Sequence, residues 1–249
     1  MWLLFSSPAD TAARWARLGL LERGLDPLIW IPGEALSRAR RWIHRIGRNG
    51  VSLELVLDSG LTLHDEEVKG VLNRMPWPPD HSLWMAPEDR EYVRQEMSAF
   101  YLSWLYGLSA PVLNRPHPQG LAGAFRPPAV WHHLATRAGL ETVPYRAGSH
   151  HPGPGAWQPA WNSGALLFVV GEETIPAAGV PPPPKPVRQA AVRLGKLSNT
   201  PLLALRFITG SGGGWRFIGA DTLPDLSLGG APLLDALTRC LTRNGRGRG

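Results

Sequence analysis

At 249 residues the chain is long enough to bury a sizeable core, as one large domain or two small ones. Its 43% hydrophobic content and 11 Trp exclude a disordered chain, and its 28 Gly and 25 Pro follow no collagen period. A single cysteine, Cys240, excludes a disulfide framework and a multi-cysteine zinc site, while a formal charge of +6 permits anionic partners without requiring them.

The opening Trp2-Leu3-Leu4-Phe5 predicts a buried strand. It lacks the basic start of a signal peptide and is broken by Pro8-Ala9-Asp10. Asp10 is placed to cap a helix running to about Glu22, with Ala12, Trp15, Ala16, Leu18 and Leu21 inward. Gly24 ends that helix, and Pro27 to Ile31 forms a second strand, completing a parallel strand–helix–strand unit. Trp42–Ile46 and Val51–Leu57 read as a hairpin over Gly47-Arg48-Asn49-Gly50, with Leu61–Leu63 returning after Asp58-Ser59-Gly60. Gly70-Val71-Leu72-Asn73-Arg74 is another buried strand. Residues 76–87, rich in Pro and Trp, form a loop. A helix follows from Pro87, with Val93, Met97, Phe100 and Trp104 on its core face.

Val112-Leu113-Asn114-Arg115-Pro116 then echoes residues 71–74. The echo predicts two neighbouring parallel strands whose carboxyl ends reach one crevice, where open α/β sheets bind ligands. Residues 127–140 form a helix with Val130, Trp131, Leu134 and Ala138 on one face, and residues 141–164 read as a Gly/Pro/His-rich linker. The last third has an α+β pattern. Leu166–Val170 and Thr174-Ile175 are strands about a Gly171-Glu172 turn, and Val180–Pro186 is an extended proline run. A helix spans Val187–Leu197, and Leu202–Ile208 and Trp215–Ile218 form a hairpin over Gly210–Gly214. The final helix carries Leu233, Leu234, Leu237, Cys240 and Leu241 inward, ahead of a basic tail at 243–249. No run approaches the ~20 apolar residues of a membrane span. The chain reads as soluble, cytoplasmic and bacterial, and its preference for Arg over Lys also fits a GC-rich genome.

Several polar groups invite a chemical reading. Arg74 and Arg115 can fork onto a carboxylate or phosphate, with Asn73 and Asn114 beside them, or else cap their own loops. The Gly-rich segment 210–214 joins strand to strand, unlike a phosphate loop, which joins strand to helix. His132-His133 and His150-His151, with His117, are potential metal ligands, but adjacent helical residues point about 100° apart. His64-Asp65-Glu66-Glu67 reads as a solvated turn, and Cys240 as a core residue rather than a nucleophile. Trp77, Trp84, Trp131, Trp157 and Trp161 are scattered, mostly through Pro-rich loops. That favours protein contact over nucleic acid, for which no recognition motif is present.

The order of these elements resembles ATP-grasp proteins, in particular the peptide ligases of ribosomal peptide maturation. The segment from Val71 to Pro116, the helix ending Ala138-Gly139-Leu140, and Val143-Pro144 resemble a pre-ATP-grasp domain. Phe168-Val169-Val170-Gly171 resembles a late strand and turn of the grasp domain, and Leu202–Phe207 its metal-bearing strand. Trp215–Asp221 resembles the strand that ends in a Glu-x-Asn metal motif. The resemblance implies a fold of α/β type, with a pre-ATP-grasp-like N-terminal domain (1–140) and a linker (141–164). A shortened, ATP-grasp-like α+β domain (165–242) and the tail (243–249) complete it.

The departures from that pattern bear on function. Arg206 stands where the resemblance implies an Asp ligand, Gly219 at the Glu position and Asp221 at the Asn position. Mg²⁺ seeks carboxylates and substrate phosphates, and Arg206 repels it. The chain has no Lys between Lys69 and Lys185, where the resemblance implies a lysine-bearing lid. The sequence therefore points to a degenerate, truncated ATP-grasp-like protein. No cofactor is expected, and a protein or peptide partner is, with Asn73, Arg74, Asn114, Arg115, Arg206 and Asp221 as contact residues. No membrane contact is expected, nucleic acid is disfavoured, and the oligomeric state stays open. The alternative is a diverged ATP-dependent carboxylate–amine ligase that needs a partner subunit.

Overall fold

A computed structural model describes residues 1–48, 50–79, 85–145, 164–209 and 214–243. The chain divides into two compact units. The first comprises Met1–Phe125, Asp225–Ser227 and Leu234–Gly249, and the second Arg126–Pro224 and Leu228–Leu233.

The first unit begins with β1 (Trp2–Ser6), α1 (Thr11–Leu21), β2 (Leu28–Pro32) and α2 (Gly33–Ser37). β3 (Arg41–Gly47), β4 (Gly50–Val56) and β5 (Thr62–His64) follow, then β6 (Gly70–Arg74), α3 (Arg90–Gly107) and β7 (Val112–Leu113). Strands β2-β1-β6-β7 form a four-stranded sheet in which every neighbouring pair is parallel. Near-continuous apolar strands such as Trp2–Phe5 suit this arrangement, because a parallel sheet is covered on both faces. β3-β4-β5 form a separate antiparallel sheet. Its hairpin pairs Gly47 with Gly50, as the Asn-Gly signal predicts, with Asn49 itself outside the described residues. The core beneath is aromatic. The Trp104 and Tyr101 rings meet Phe5 edge-on at 5.8 and 6.0 Å, and Trp42 packs on Trp104 at 5.8 Å.

The second unit holds α4 (Pro128–Ala138), β8 (Ala165–Val170), β9 (Glu173–Pro176), α5 (Lys185–Leu197), β10 (Leu202–Thr209) and β11 (Trp215–Asp221). Its antiparallel sheet runs β11-β10-β8-β9. Leu167, Val169, Leu203, Leu205, Phe207 and Phe217 pack on one face against Trp131 and Ala135 of α4 and Ala190 and Leu194 of α5. The sequence reading placed α4 in the N-terminal portion, but its partners are α5 and β11. α6 (Gly230–Thr242) closes the described chain.

Four expectations are corrected in detail. The buried face of α1 is Ala12, Ala13, Ala16, Gly19 and Leu20, while Leu18 is 61% exposed. The small residues turn inward because the helix lies close on its neighbours. α3 begins at Arg90 rather than Pro87, and its buried residues are Tyr101, Trp104 and Leu105, all in its second half. On α4, His132 and Ala135 join Trp131 and Ala138 on the buried face, Leu134 is partly buried against the same core, and Val130 is exposed. The expected linker starts later, because Glu141–Val143 pairs with β11: Phe217 N donates to Glu141 O and Val143 N to Phe217 O. Cys240 is half-buried, flanked by the buried Leu237 and Leu241. The rest of the linker (146–163), the 210–213 turn, and the tail from 244 lie outside the described residues.

Candidate functional site

The echo between residues 71–74 and 112–115 has a structural basis. β6 and β7 pair in parallel with Val71 opposite Val112 and Leu72 opposite Leu113, so Asn73 and Asn114 follow side by side. The structure brings these two together and buries both. Asn73 Nδ2 donates to the carbonyls of Asn114 (2.8 Å) and Leu121 (2.7 Å). Its Oδ1 accepts from Met75 N (3.2 Å) and the Tyr101 hydroxyl (2.9 Å). Burial pushes the Tyr101 phenol well above its ordinary value, so it remains a neutral donor.

The two arginines turn to internal partners. Arg74, 3% exposed, donates Nε to Asp10 Oδ2 (2.8 Å) and Nη2 to Oδ1 (3.3 Å). Asp10 Oδ1 also accepts from Ala13 N (2.9 Å), capping α1, so one carboxylate serves a helix end and a buried cation. Arg115 donates Nη1 to Leu105 O (2.5 Å), and Nη2 to Leu108 O (3.1 Å) and Ala110 O (3.2 Å). It thereby satisfies carbonyls left over at the end of α3. Asp10 and Tyr101 were missed as members of this cluster. The Asn-Arg echo gave no hint of either, since both come from other elements.

The second candidate lies on the β10–β11 pair. Arg206 stands directly opposite Gly219 and Ala204 opposite Asp221, with a bulge between Arg206 and Phe207. Directly paired residues project to one side, so Arg206 and Asp221 share the sheet face opposite that of Leu205, which packs with α4 and α5. Asp221 Oδ1 accepts from Leu223 N at 2.8 Å. At the positions to which the resemblance assigns metal ligands, the donor set is one carboxylate, one glycine and one guanidinium. That set does not fit Mg²⁺, which takes a shell of oxygens. Among the described residues no group of three His, Cys, Asp or Glu could hold a metal ion. His133 is exposed, and His150 and His151 lie outside the described residues. In the 64–67 turn Asp65 accepts from Leu53 N (3.0 Å) and Glu67 from His64 N (3.4 Å), so both carboxylates serve local structure.

His132 is buried on α4, its ring 5.0 Å from Tyr145 and 5.6 Å from Phe217. Burial pulls its pKa below the ordinary imidazole value, opposed by hydrogen bonds with the backbone of Ile218 and Val143. Nδ1 is buried with no acceptor among the described residues, so a doubly protonated ring would carry an unsatisfied donor. A folded-state pKa below the unfolded one stabilises the protein above the unfolded value of about 6.5, and that share is lost as pH falls through the folded value. Between pH 7.5 and 5.5 the melting temperature should therefore drop less in His132→Gln than in the parent protein, as read by circular dichroism.

A surface groove of about 440 Å³ in the second unit is lined by Glu172, Thr174, Lys185, Arg188, Gln189 and Val192. Edge strand β9 and the start of α5 form its sides. The sequence reading missed it. The available signal was Lys185 and Arg188 in the first turn of α5, where the helix dipole disfavours cations and no acid offsets them.

No protein-family model matches the sequence, and no curated protein does. Solved structures do. Macrocyclase MdnB from Microcystis aeruginosa MRC superposes with a TM-score of 0.73 at 15% identity, over 97% of this chain and 99% of that one. Macrocyclase MdnC of the same source, bound with precursor peptide MdnA, gives 0.70 at 12% identity over 96% and 98%. The Chryseobacterium gregarium RiPP-associated ATP-grasp ligase, in complex with ADP and a leader and core peptide, gives 0.69 at 10% over 96% and 96%. The matches run nearly the full length of both chains. No helix among the described residues is long and apolar enough to cross a membrane. Superposed along nearly its whole length, this α/β chain has the fold of these macrocyclases and of the RiPP-associated ATP-grasp ligase.

Proposed function

We propose that this chain is a non-catalytic, ATP-grasp-like protein that holds a protein or peptide partner in a bacterial pathway or assembly. The observation that carries the reading is Arg206 facing Gly219 across β10 and β11, where the resemblance implies two acidic metal ligands. A guanidinium there repels Mg²⁺ and offers a fork to a carboxylate of the partner. The peptides bound by MdnC and by the Chryseobacterium ligase support a peptide as the partner's chemistry. The groove beside β9 is suited to it, since an extended peptide can add to a strand at the edge of a sheet while its acidic side chains meet Lys185 and Arg188.

Isothermal titration with Mg²⁺ and ATP tests the catalytic half, the expected result being no saturable binding up to about 1 mM. Micromolar, Mg²⁺-dependent binding would overturn it. For the partner half, peptides encoded beside the gene are titrated into the parent protein and Arg188→Glu. Charge reversal in the groove should weaken binding tenfold or more, on the order of 1.5 kcal/mol or above. The Asp221 carboxylate, an oxygen donor at the Asn position of the metal motif, favours the second reading, a diverged ligase completed by a partner subunit. ADP release when peptide, ATP and a candidate subunit are combined would select that reading instead.

A further inference from the structure

At the carboxyl edge of the parallel sheet, just beyond the last residues of β1, β2 and β6, lies a cavity of about 290 Å³. Its wall is apolar, formed by Pro8, Met75, Pro76, Trp77 and Pro78. Trp77 is 76% exposed, a large aromatic surface left uncovered at the rim among the described residues. Two charged side chains, Glu34 of α2 and Arg38 immediately after it, line it as well, with Ser7, Gly33 and Ser37 beside them. Four residues apart, they sit about one helical turn from each other. Neither has an ion-pair partner among the described residues. The arginines that follow do: Arg40 meets Asp58 at 3.3 Å and Arg41 meets Glu54 at 3.1 Å. The cavity thus presents one unmatched anion and one unmatched cation beside an apolar interior, with no net charge.

We propose that this cavity binds a free α-amino acid with a large apolar side chain. The side chain enters between Met75 and the Trp77 ring, where aromatic contact adds to burial. The ammonium group donates to Glu34, and the α-carboxylate accepts from the Arg38 guanidinium. The volume lies near the ~300 Å³ lower limit of small-molecule sites, which suits a single amino acid and is too small for a dinucleotide. Opposite charges at one rim select a zwitterion over an acid or an amine, because each singly charged analogue leaves one group unmatched. This site is separate from the groove beside β9 and does not depend on the partner reading.

Saturation-transfer NMR on the full chain tests it, with L-phenylalanine, L-tryptophan and L-leucine as probes. N-acetyl-L-phenylalanine lacks the ammonium and L-phenylalaninamide the carboxylate. The expected result is saturable binding of L-phenylalanine, weakened about tenfold or more in each neutralised analogue, by the usual worth of a charge-assisted contact. Glu34→Gln should weaken L-phenylalanine while sparing the N-acetyl analogue, and Arg38→Gln should weaken it while sparing the amide. Trp77→Ala should weaken all three probes. Both charge substitutions are at exposed positions, and circular dichroism verifies that the variants fold. Absence of binding by all three amino acids overturns the proposal. So does equal binding of the neutralised analogues, or unchanged binding in Glu34→Gln and Arg38→Gln.

Discussion

Asp10→Ala should destabilise the first unit by about 4 kcal/mol, the largest single effect expected in this protein outside the aromatic core. The Asp10 carboxylate matches the Arg74 guanidinium, whose side chain is 4% exposed, and removing it leaves a buried cation without its counter-ion. Breaking such a pair costs about 3–5 kcal/mol, and loss of the α1 cap adds about 1 kcal/mol, though the two overlap because one carboxylate serves both. Asp10→Asn separates them: the amide still caps the helix but carries no charge. Urea denaturation followed by circular dichroism should place Asp10→Asn close to Asp10→Ala if the ion pair dominates, and close to the parent if the cap does. Asp10→Ala with Arg74→Met removes the buried charge altogether and should recover most of the loss. A loss below about 1 kcal/mol in Asp10→Ala would mean that Arg74 finds another anion.

Asn73→Leu should cost about 3–4 kcal/mol. The side chain makes two donations and two acceptances inside the core, so an isosteric apolar residue leaves two carbonyls, one N–H and the Tyr101 hydroxyl without partners. Each orphaned buried group costs on the order of 1–3 kcal/mol, and partial relaxation keeps the total below the simple sum. Tyr101→Phe, which removes one of the four bonds, should cost only about 1 kcal/mol. Thermal and urea unfolding measure both. If Asn73→Leu instead folds with parent stability yet fails to bind a peptide partner, Asn73 is a contact residue rather than a brace for the crevice.

The strands were legible because their signals are local. Apolar runs bounded by Pro, Gly and Asn-Gly mark β1, β2, β4, β6, β8 and β10, and the Asn-Arg echo placed β6 beside β7. Helix faces were less legible. α1 and α4 bury Ala13, Ala135 and the ring of His132, so close approach to their neighbours outweighed side-chain hydrophobicity. The start of α3 slipped because Pro87, Glu88 and Asp89 match the chemistry of a first helical turn while their backbone forms separate turns. The hairpin of β10 and β11 was legible from its Gly-rich turn, but the pairing of Arg206 with Gly219 was not, because it depends on the bulge after Arg206. Nor were the partners of Arg74 and Arg115, because a guanidinium reaches acceptors on elements far away in sequence, and no spacing rule encodes that reach.

The first unit draws on both ends of the polypeptide. Residues 234 onward group with β1 and α1 rather than with the segment that precedes them. Arg23 holds Asp235 at 2.6 Å, and a Cβ on Gly70 would lie 2.7 Å from the Leu241 carbonyl oxygen. During synthesis, then, the parallel sheet emerges from the ribosome well before the helix that seals it. A nascent chain halted near residue 125 would still lack Leu234, which packs on Gly19, and the Leu241 backbone that lies against Gly70.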